Sequence, residues 1–310
     1  MKIAVVGGAG AMGAVWASQL AAAGNDVVIV DVAKPSLAAI ARDGLVVEQK
    51  DGARQASRIA ATDDPAAVGP CDAVVFFVKA QHTAAAAELA RPLVADATTV
   101  VTLQNGWGNA DALARAFPPA QIVMGVTYHS AKATAPGVVA HTADSGPTFI
   151  GAYVAGAPLD RAQAIGAAMT AAGIATTVTA EAMTEVWKKL VLNCATLPVA
   201  ALTRLYTGTV GGTEPLLRVC DALATEAVAV ARAKGLPLDP DERTATIRAA
   251  VAKGGQGKAS MLQDVEAQRK TEIEAVNGAI VREAAALGLD APLNRAMVAL
   301  VNGLEASWRQ

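Results

Sequence analysis

The run Lys2-Ile3-Ala4-Val5-Val6-Gly7-Gly8-Ala9-Gly10-Ala11-Met12-Gly13 decides the fold class of this chain. Its first five residues read as a buried strand, the glycines as a tight turn, and Ala11 onward as a helix reaching about residue 23. Gly8-Ala9-Gly10-Ala11-Met12-Gly13 matches G-x-G-x-x-G in the setting that gives the pattern meaning, between a strand and a helix. The first glycine permits the turn and the second lets backbone approach a pyrophosphate. The third allows helix and strand to pack closely, and free N–H groups at the helix start receive the phosphate charge. Gly7 leaves the register of the first glycine open by one. Asp31 closes the next strand candidate, where a carboxylate bonds an adenosine ribose 2′-OH and repels a 2′-phosphate. Lys34, three residues on, would offset that repulsion, and Pro35 keeps a simple turn-forming role for Asp31 open.

Outward from this unit, short β-rich runs alternate with Ala-rich helical ones. Strands are expected at 27–31, 73–78, 98–103 and 121–127, with helices at 83–91 and 109–116. Fully apolar strands separated by helices indicate a parallel sheet covered on both faces. Residues 138–141 and 148–150 read as extra strands. From about residue 184 the pattern becomes helical throughout, at 184–201, 213–234, 240–252, 260–287 and 294–308. The expected fold is therefore an α/β nucleotide-type domain over residues 1–178, followed by an all-α domain over residues 179–310.

Composition narrows the function. The chain has 310 residues, 53% hydrophobic and 17% charged, which excludes disorder. Mean hydropathy is high at +0.35, but much of it is alanine. The apolar runs stop short of the ~20 residues that a spanning helix needs. A net charge of −2 with no basic block argues against nucleic acid or an anionic membrane as main partner. Cys71, Cys194 and Cys220 are too scattered for a disulfide framework or a zinc site and read as buried free thiols. A cytoplasmic protein is expected, with no metal. His141 reads as structural, because neither His82 nor His129 has ligand spacing to it.

In the helical half, Glu185, Lys189 and Asn193 are spaced i, i+4, i+8 and share one helix face, beside an apolar stripe of Val186, Leu190 and Cys194. A half-buried lysine there can protonate a carbonyl oxygen if burial brings its pKa near working pH. An ordinary ion pair with Glu185 is the alternative, and Lys188 is turned about 100° away. Lys79 and Asn105 lie at or just past the carboxyl ends of expected parallel strands, the edge where open α/β sheets bind ligands.

Several segments together resemble the ketopantoate reductase (2-dehydropantoate 2-reductase) family. They are Phe77-Val78-Lys79-Ala80, Leu103-Gln104-Asn105-Gly106, the run Trp187 to Asn193 that fits W-x-K-L-x-x-N, and Ser260-Met261-Leu262-Gln263-Asp264 with Thr271-Glu272-Ile273. The resemblance spans nearly the whole chain in order. It implies a Rossmann domain joined to a helical domain like the C-terminal one of 6-phosphogluconate dehydrogenase. It also implies NADP or NAD as cofactor and reduction of a small 2-oxo acid, in the first place ketopantoate to pantoate in pantothenate biosynthesis. By resemblance Lys189 is the proton donor, and Glu272 bonds the substrate hydroxyl or orients Lys189. Lys79 contacts cofactor, Asn105 serves cofactor and substrate, and Asn193 and Ser260 bind substrate. A homodimer through the helical domain is expected.

Ser260 with Gln263 also makes a capping-box signature, so a helix-cap role stays open. On one straight helix Ser260 and Glu272 would lie about 18 Å apart. Both can serve a small acid only if the helix breaks near residues 268–270, with Thr271 capping a new one. Leu197, Thr207 and Gly257 stand where the family usually has asparagine. That leaves room for a paralogue acting on another 2-oxo acid. A non-catalytic dinucleotide sensor is the further alternative, against which Lys189, Asn193 and Glu272 argue.

Overall fold

A computed structural model describes residues 1–308. The strands are β1 (Lys2–Val6), β2 (Asp26–Val30), β3 (Leu45–Glu48), β4 (Arg54–Ser57), β5 (Ala60–Thr62), β6 (Ala73–Phe76), β7 (Thr99–Thr102), β8 (Ile122–Val126), β9 (His129–Ala135), β10 (Val138–Asp144), β11 (Thr148–Ala152) and β12 (Thr176–Val178). The α-helices are α1 (Ala11–Ala22), α2 (Lys34–Asp43), α3 (Thr83–Leu89), α4 (Asn109–Ala114), α5 (Asp160–Ala171), α6 (Ala182–Thr203), α7 (Thr207–Gly211), α8 (Glu214–Ala233), α9 (Pro240–Lys253), α10 (Ser260–Glu266), α11 (Asn277–Ala286) and α12 (Pro292–Ser307).

The chain forms two compact units. One comprises residues 1–104 and 109–185; the other comprises Asn105–Gly108 and the chain from Val186 onward. The division between these units falls inside α6, after Glu185. It also assigns the segment Asn105–Gly108 to the helical unit, because the Trp107 N–H donates to the Ala275 carbonyl at 2.8 Å.

The first unit is the expected parallel α/β sheet, in the order β12-β11-β8-β7-β6-β1-β2-β5. From β8 to β5 every pairing is parallel, while β11 runs antiparallel to β8. Central strands such as β6 and β7 are buried at every position, as their unbroken Val-rich sequences require. A second sheet, β4-β3-β10-β9, holds three strands that sequence patterning leaves out. β4 is only partly covered, and β9 is largely exposed beyond its first residue, so neither shows an apolar run. Helix α1 packs against β1 and β2 as well as β9 and β10. Sandwiched in this way, Trp16 and Leu20 are fully buried, and Trp16 sets its ring against Phe77 and His129.

The second unit is helical. Pro198 sits inside α6 and has no N–H to give to the carbonyl four residues back, that of Cys194. Asn277 supplies the missing donor: its Nδ2 reaches the Cys194 carbonyl at 2.9 Å and Asn294 Oδ1 at 2.9 Å. Asn294 in turn donates to Glu226, which accepts from the first N–H groups of α12. This buried polar spine holds α6, α8, α11 and α12 in register.

The stretch 260–287 is not one helix. α10 ends at Glu266, Gln268 takes a left-handed φ of 48°, and regular helix resumes only at Asn277. Thr271 does not cap a helix directly. Its N–H and hydroxyl both donate to Glu305, and a turn over residues 272–276 follows.

Candidate active site

In the α/β unit the glycine turn has the form its sequence demands. The residue that takes left-handed backbone is Gly7, with φ of 79°, so the turn begins one residue before the Gly8 of the motif. Gly8 and Gly13 are needed for space: a Cβ on Gly8 would stand 2.7 Å from the Val5 carbonyl, and one on Gly13 2.4 Å from that of Gly7. Gly10 is exposed and forms the N-cap of α1 without any side-chain cap. Backbone N–H groups at this bare helix start are suited to a pyrophosphate, so the residues present fit a dinucleotide. Asp31 binds the turn from the neighbouring strand end. Its Oδ2 accepts from the Ala9 N–H at 3.0 Å and its Oδ1 from the Ala33 N–H at 3.0 Å. Lys34 does not turn back to Asp31 but pairs with Asp63 at 3.6 Å, on the exposed surface. Lys79 lies three residues beyond the end of β6 and opens the 3-10 turn Ala80–His82.

In the helical unit, Lys189 is partly buried on α6 and donates from Nζ to Asn105 Oδ1 at 2.9 Å. Burial pulls its pKa down from the ordinary 10.5 to about 8, and the Glu272 carboxylate works in the opposite direction by favouring the ammonium. The break after α10 brings Glu272 within electrostatic reach of Lys189. Asn193 is buried one turn further along α6. An ammonium so poised can give its proton to a substrate oxygen on which negative charge develops.

Residues 3–155 match the family described as Ketopantoate reductase PanE/ApbA, and residues 181–305 match its C-terminal part. The chain belongs to the ketopantoate reductase family. It is 35% identical to the 2-dehydropantoate 2-reductase of Halobacterium salinarum over 297 residues, covering 96% of this chain and 97% of that one. The corresponding protein of Pyrococcus abyssi is 31% identical, with 99% and 98% covered. Among solved structures, a PanE/ApbA family ketopantoate reductase from Ralstonia eutropha JMP134 superposes with a TM-score of 0.89 at 32% identity, covering both chains fully. A D-mandelate dehydrogenase crystallised with NADH and anilino(oxo)acetate shares the fold at a TM-score of 0.94 and 24% identity, also over both full chains. The family is one of reductases, and this protein is an enzyme of that type.

Set within the ketopantoate reductase family, other positions stand as follows. Ser260 is exposed at the first turn of α10; Ala259 is the N-cap, and no side-chain cap bond forms. The capping box is therefore not made, and Gln263 donates instead to the Lys258 carbonyl. Leu197 lies two turns beyond Lys189 on α6 and packs against the cluster of Met261, Val265 and Ile273. Thr207 spends both its N–H and its hydroxyl on the Gly257 carbonyl, at 3.0 Å each. Two of the three positions that depart from the family asparagines are thus bonded to each other.

His129 and His141 form a buried pair, with 3.1 Å between Nδ1 and Nε2. Asp144 lies 3.1 Å from the outer nitrogen of His129, and Gln49 3.3 Å from that of His141. No group of three metal-ligating side chains exists among the described residues.

Sequence reading passes over Trp107, Lys234 and Glu283, which cluster beside the Asn105 segment. Trp107 Nε1 donates to Glu283 Oε1 at 2.7 Å, and Lys234 pairs with Glu283 Oε2 at 2.5 Å. The available signal was Trp107 itself, one of four tryptophans in the chain, two residues beyond Asn105.

Proposed function

We propose that this protein reduces 2-dehydropantoate to pantoate with a nicotinamide dinucleotide, and that Lys189 delivers the proton. When bound, the reduced dinucleotide supplies the hydride. Gly8, Ala9, Gly10, Ala11, Met12 and Gly13 receive its pyrophosphate, Asp31 bonds its ribose, Lys79 contacts it, and Asn105 holds its nicotinamide side. Asn105, Asn193 and Ser260 hold the oxo acid. Lys189 gives a proton to the carbonyl oxygen as carbon gains the hydride, which leaves an alcohol and a neutral amine that solvent reprotonates. Glu272 keeps the ammonium charged until that step. The observation that carries this reading is the Lys189 ammonium, held by Asn105 and set near pH 8 by burial against Glu272.

The test follows NADPH and NADH oxidation with ketopantoate, using wild type, K189A and K188A. K189A should lose about 10²–10⁴-fold in kcat, the range for removing a positioned acid. K188A should stay near wild type. An inactive K188A, or full turnover in both variants, overturns the assignment. Wild-type binding of dinucleotide without turnover of any 2-oxo acid would support the sensor alternative.

Leu197 favours a second reading, a 2-oxo acid whose side chain is apolar. It follows Lys189 and Asn193 on the same face of α6, and Thr207, whose hydroxyl is already committed to Gly257, has no proton to offer a substrate hydroxyl. Each absent neutral hydrogen bond costs about 0.5–1.5 kcal/mol, so ketopantoate should show a raised KM before a lowered kcat. A micromolar KM and the best efficiency for ketopantoate in a screen of 2-oxo acids would exclude this reading.

For the cofactor, Asp31 together with Asp63 makes the end of β2 acidic, and Lys34 is engaged with Asp63. NADH should therefore serve at least as well as NADPH. A kcat/KM favouring NADPH by more than about tenfold, or roughly 1.4 kcal/mol, refutes this. Three free buried thiols fit a reducing compartment, supporting the cytoplasm. Exposed Leu289, Leu293 and Leu300 support a homodimer through the helical unit, which light scattering would test. Among the described residues no helix is long and apolar enough to cross a membrane.

A further inference from the structure

We propose that Trp107 and Glu283 are positioning residues: together they clamp the Asn105–Gly106–Trp107 segment so that Asn105 stays on Lys189. The inference rests on the reading of Lys189 as the proton donor and adds how that donor is held.

The segment is fixed at three points. The Trp107 N–H donates to the Ala275 carbonyl at 2.8 Å. Gly106, with φ of 86°, lies so flat on the same residue that a Cβ would stand 2.5 Å from the Ala275 oxygen. The indole N–H donates to Glu283 Oε1 at 2.7 Å, and Glu283 is itself fixed by Lys234. The indole also packs on Trp187, two residues before Lys189 on α6, with ring centroids 5.4 Å apart. The Lys234 ammonium lies 5.8 Å from the centroid of Trp107 and 5.9 Å from that of Trp187, within cation–π range of both. Trp187 is fully buried and its indole N–H has no acceptor, so this ring serves by packing.

The clamp closes on the turn that carries Glu272. The Ala275 N–H donates to the Glu272 carbonyl, so the residue that receives Gly106 and Trp107 is hydrogen-bonded to the residue whose carboxylate favours the Lys189 ammonium. One rigid turn thus presents Glu272 directly and Asn105 through its bound segment. A free segment after β7 would have no reason to keep an amide oxygen on a lysine of another element. Trp107 and Glu283 supply that reason without touching substrate.

A carbonyl oxygen that accepts from an ammonium favours its charged form. Releasing Asn105 should therefore lower the pH at which Lys189 loses its proton, by about 1 unit for one hydrogen bond to a charged group. The titration is read in the ligand-free protein from lysine labelled with ¹³C at Cε. The Lys189 resonance is assigned as the one missing in K189R. W107F keeps a ring against Trp187 and Lys234 but loses the indole donor; E283A removes the acceptor. Both should move the Lys189 midpoint down, and the alkaline limb of kcat should move with it. E283Q, whose amide oxygen still accepts from Trp107, should return the midpoint toward wild type. If E283A fails to fold, W107F decides. A wild-type midpoint near 8 that stays unmoved in W107F and E283A overturns the clamp, even where kcat falls. A wild-type midpoint near the ordinary lysine value would instead remove the proton-donor reading, and the clamp with it.

Discussion

Replacing Lys189 by methionine should make the protein more stable at neutral pH while disabling it, and the gain should vanish in alkali. Methionine keeps much of the aliphatic stem and removes the ammonium. Burial lowers the pKa of Lys189 from 10.5 unfolded to about 8 folded, although Glu272 opposes the shift. Between these values the unfolded chain binds more protons than the folded one, so wild-type stability rises with pH across the window. At 1.36 kcal/mol per pH unit the full effect is about 3 kcal/mol. Below pH 8 the wild type carries the whole cost of a buried charge. Above pH 10.5 the amine is neutral in both states and the cost is gone. Relative to K189M, wild type should therefore gain about 2.5 kcal/mol between pH 7 and pH 10. Other titrating groups are common to the two proteins and cancel in the difference. Urea denaturation of both proteins at pH 7, 8, 9 and 10 measures it as a changing gap in midpoint. A constant gap would mean that Lys189 titrates as an ordinary surface lysine, and the proton-donor argument would lose its physical basis. A gap that moves the other way would mean that Glu272 outweighs burial.

Other consequences can be checked one by one. Asn277→Leu strips the donor from the Cys194 carbonyl that Pro198 leaves unpaired and also takes the donor from Asn294 Oδ1, so unfolding free energy should drop by about 2–4 kcal/mol; a variant within about 0.5 kcal/mol of wild type would show that the spine carries no load. Gly13→Ala puts a Cβ 2.4 Å from a backbone oxygen that has nowhere to go, and should cost about 1–3 kcal/mol and abolish NADH binding in a fluorescence titration. Cys71, Cys194 and Cys220 are buried with thiol pKa values raised by desolvation, Cys220 to about 11; a thiol-disulfide reagent at pH 8 should find none of them quickly in the native protein and all three in urea.

Much of this protein is legible in local sequence. β1, the glycine turn and α1 are adjacent in the chain, and each depends on short-range rules: an apolar run, glycines where no Cβ fits, and an alanine-rich helix. The spacing of Lys189 and Asn193 on α6 likewise follows from helical period alone. The break between Ser260 and Glu272 was readable because a single helix would put the two too far apart for one small substrate. Of the second sheet only β10 was legible. β4 and β9 are short or exposed, and their pairing with β3 and β10 is decided by what α1 covers. The same holds for the finer chemistry. A lysine on a helix face has the same sequence whether it is solvated or buried. Its pKa near 8 arises only when the turn at Glu272–Ala275, the Asn105 segment and α6 meet in space. Sequence determined which residues carry donors, acceptors and charge. Tertiary structure decided which of them are desolvated together, because burial and Coulomb energy depend on distance in space and not along the chain.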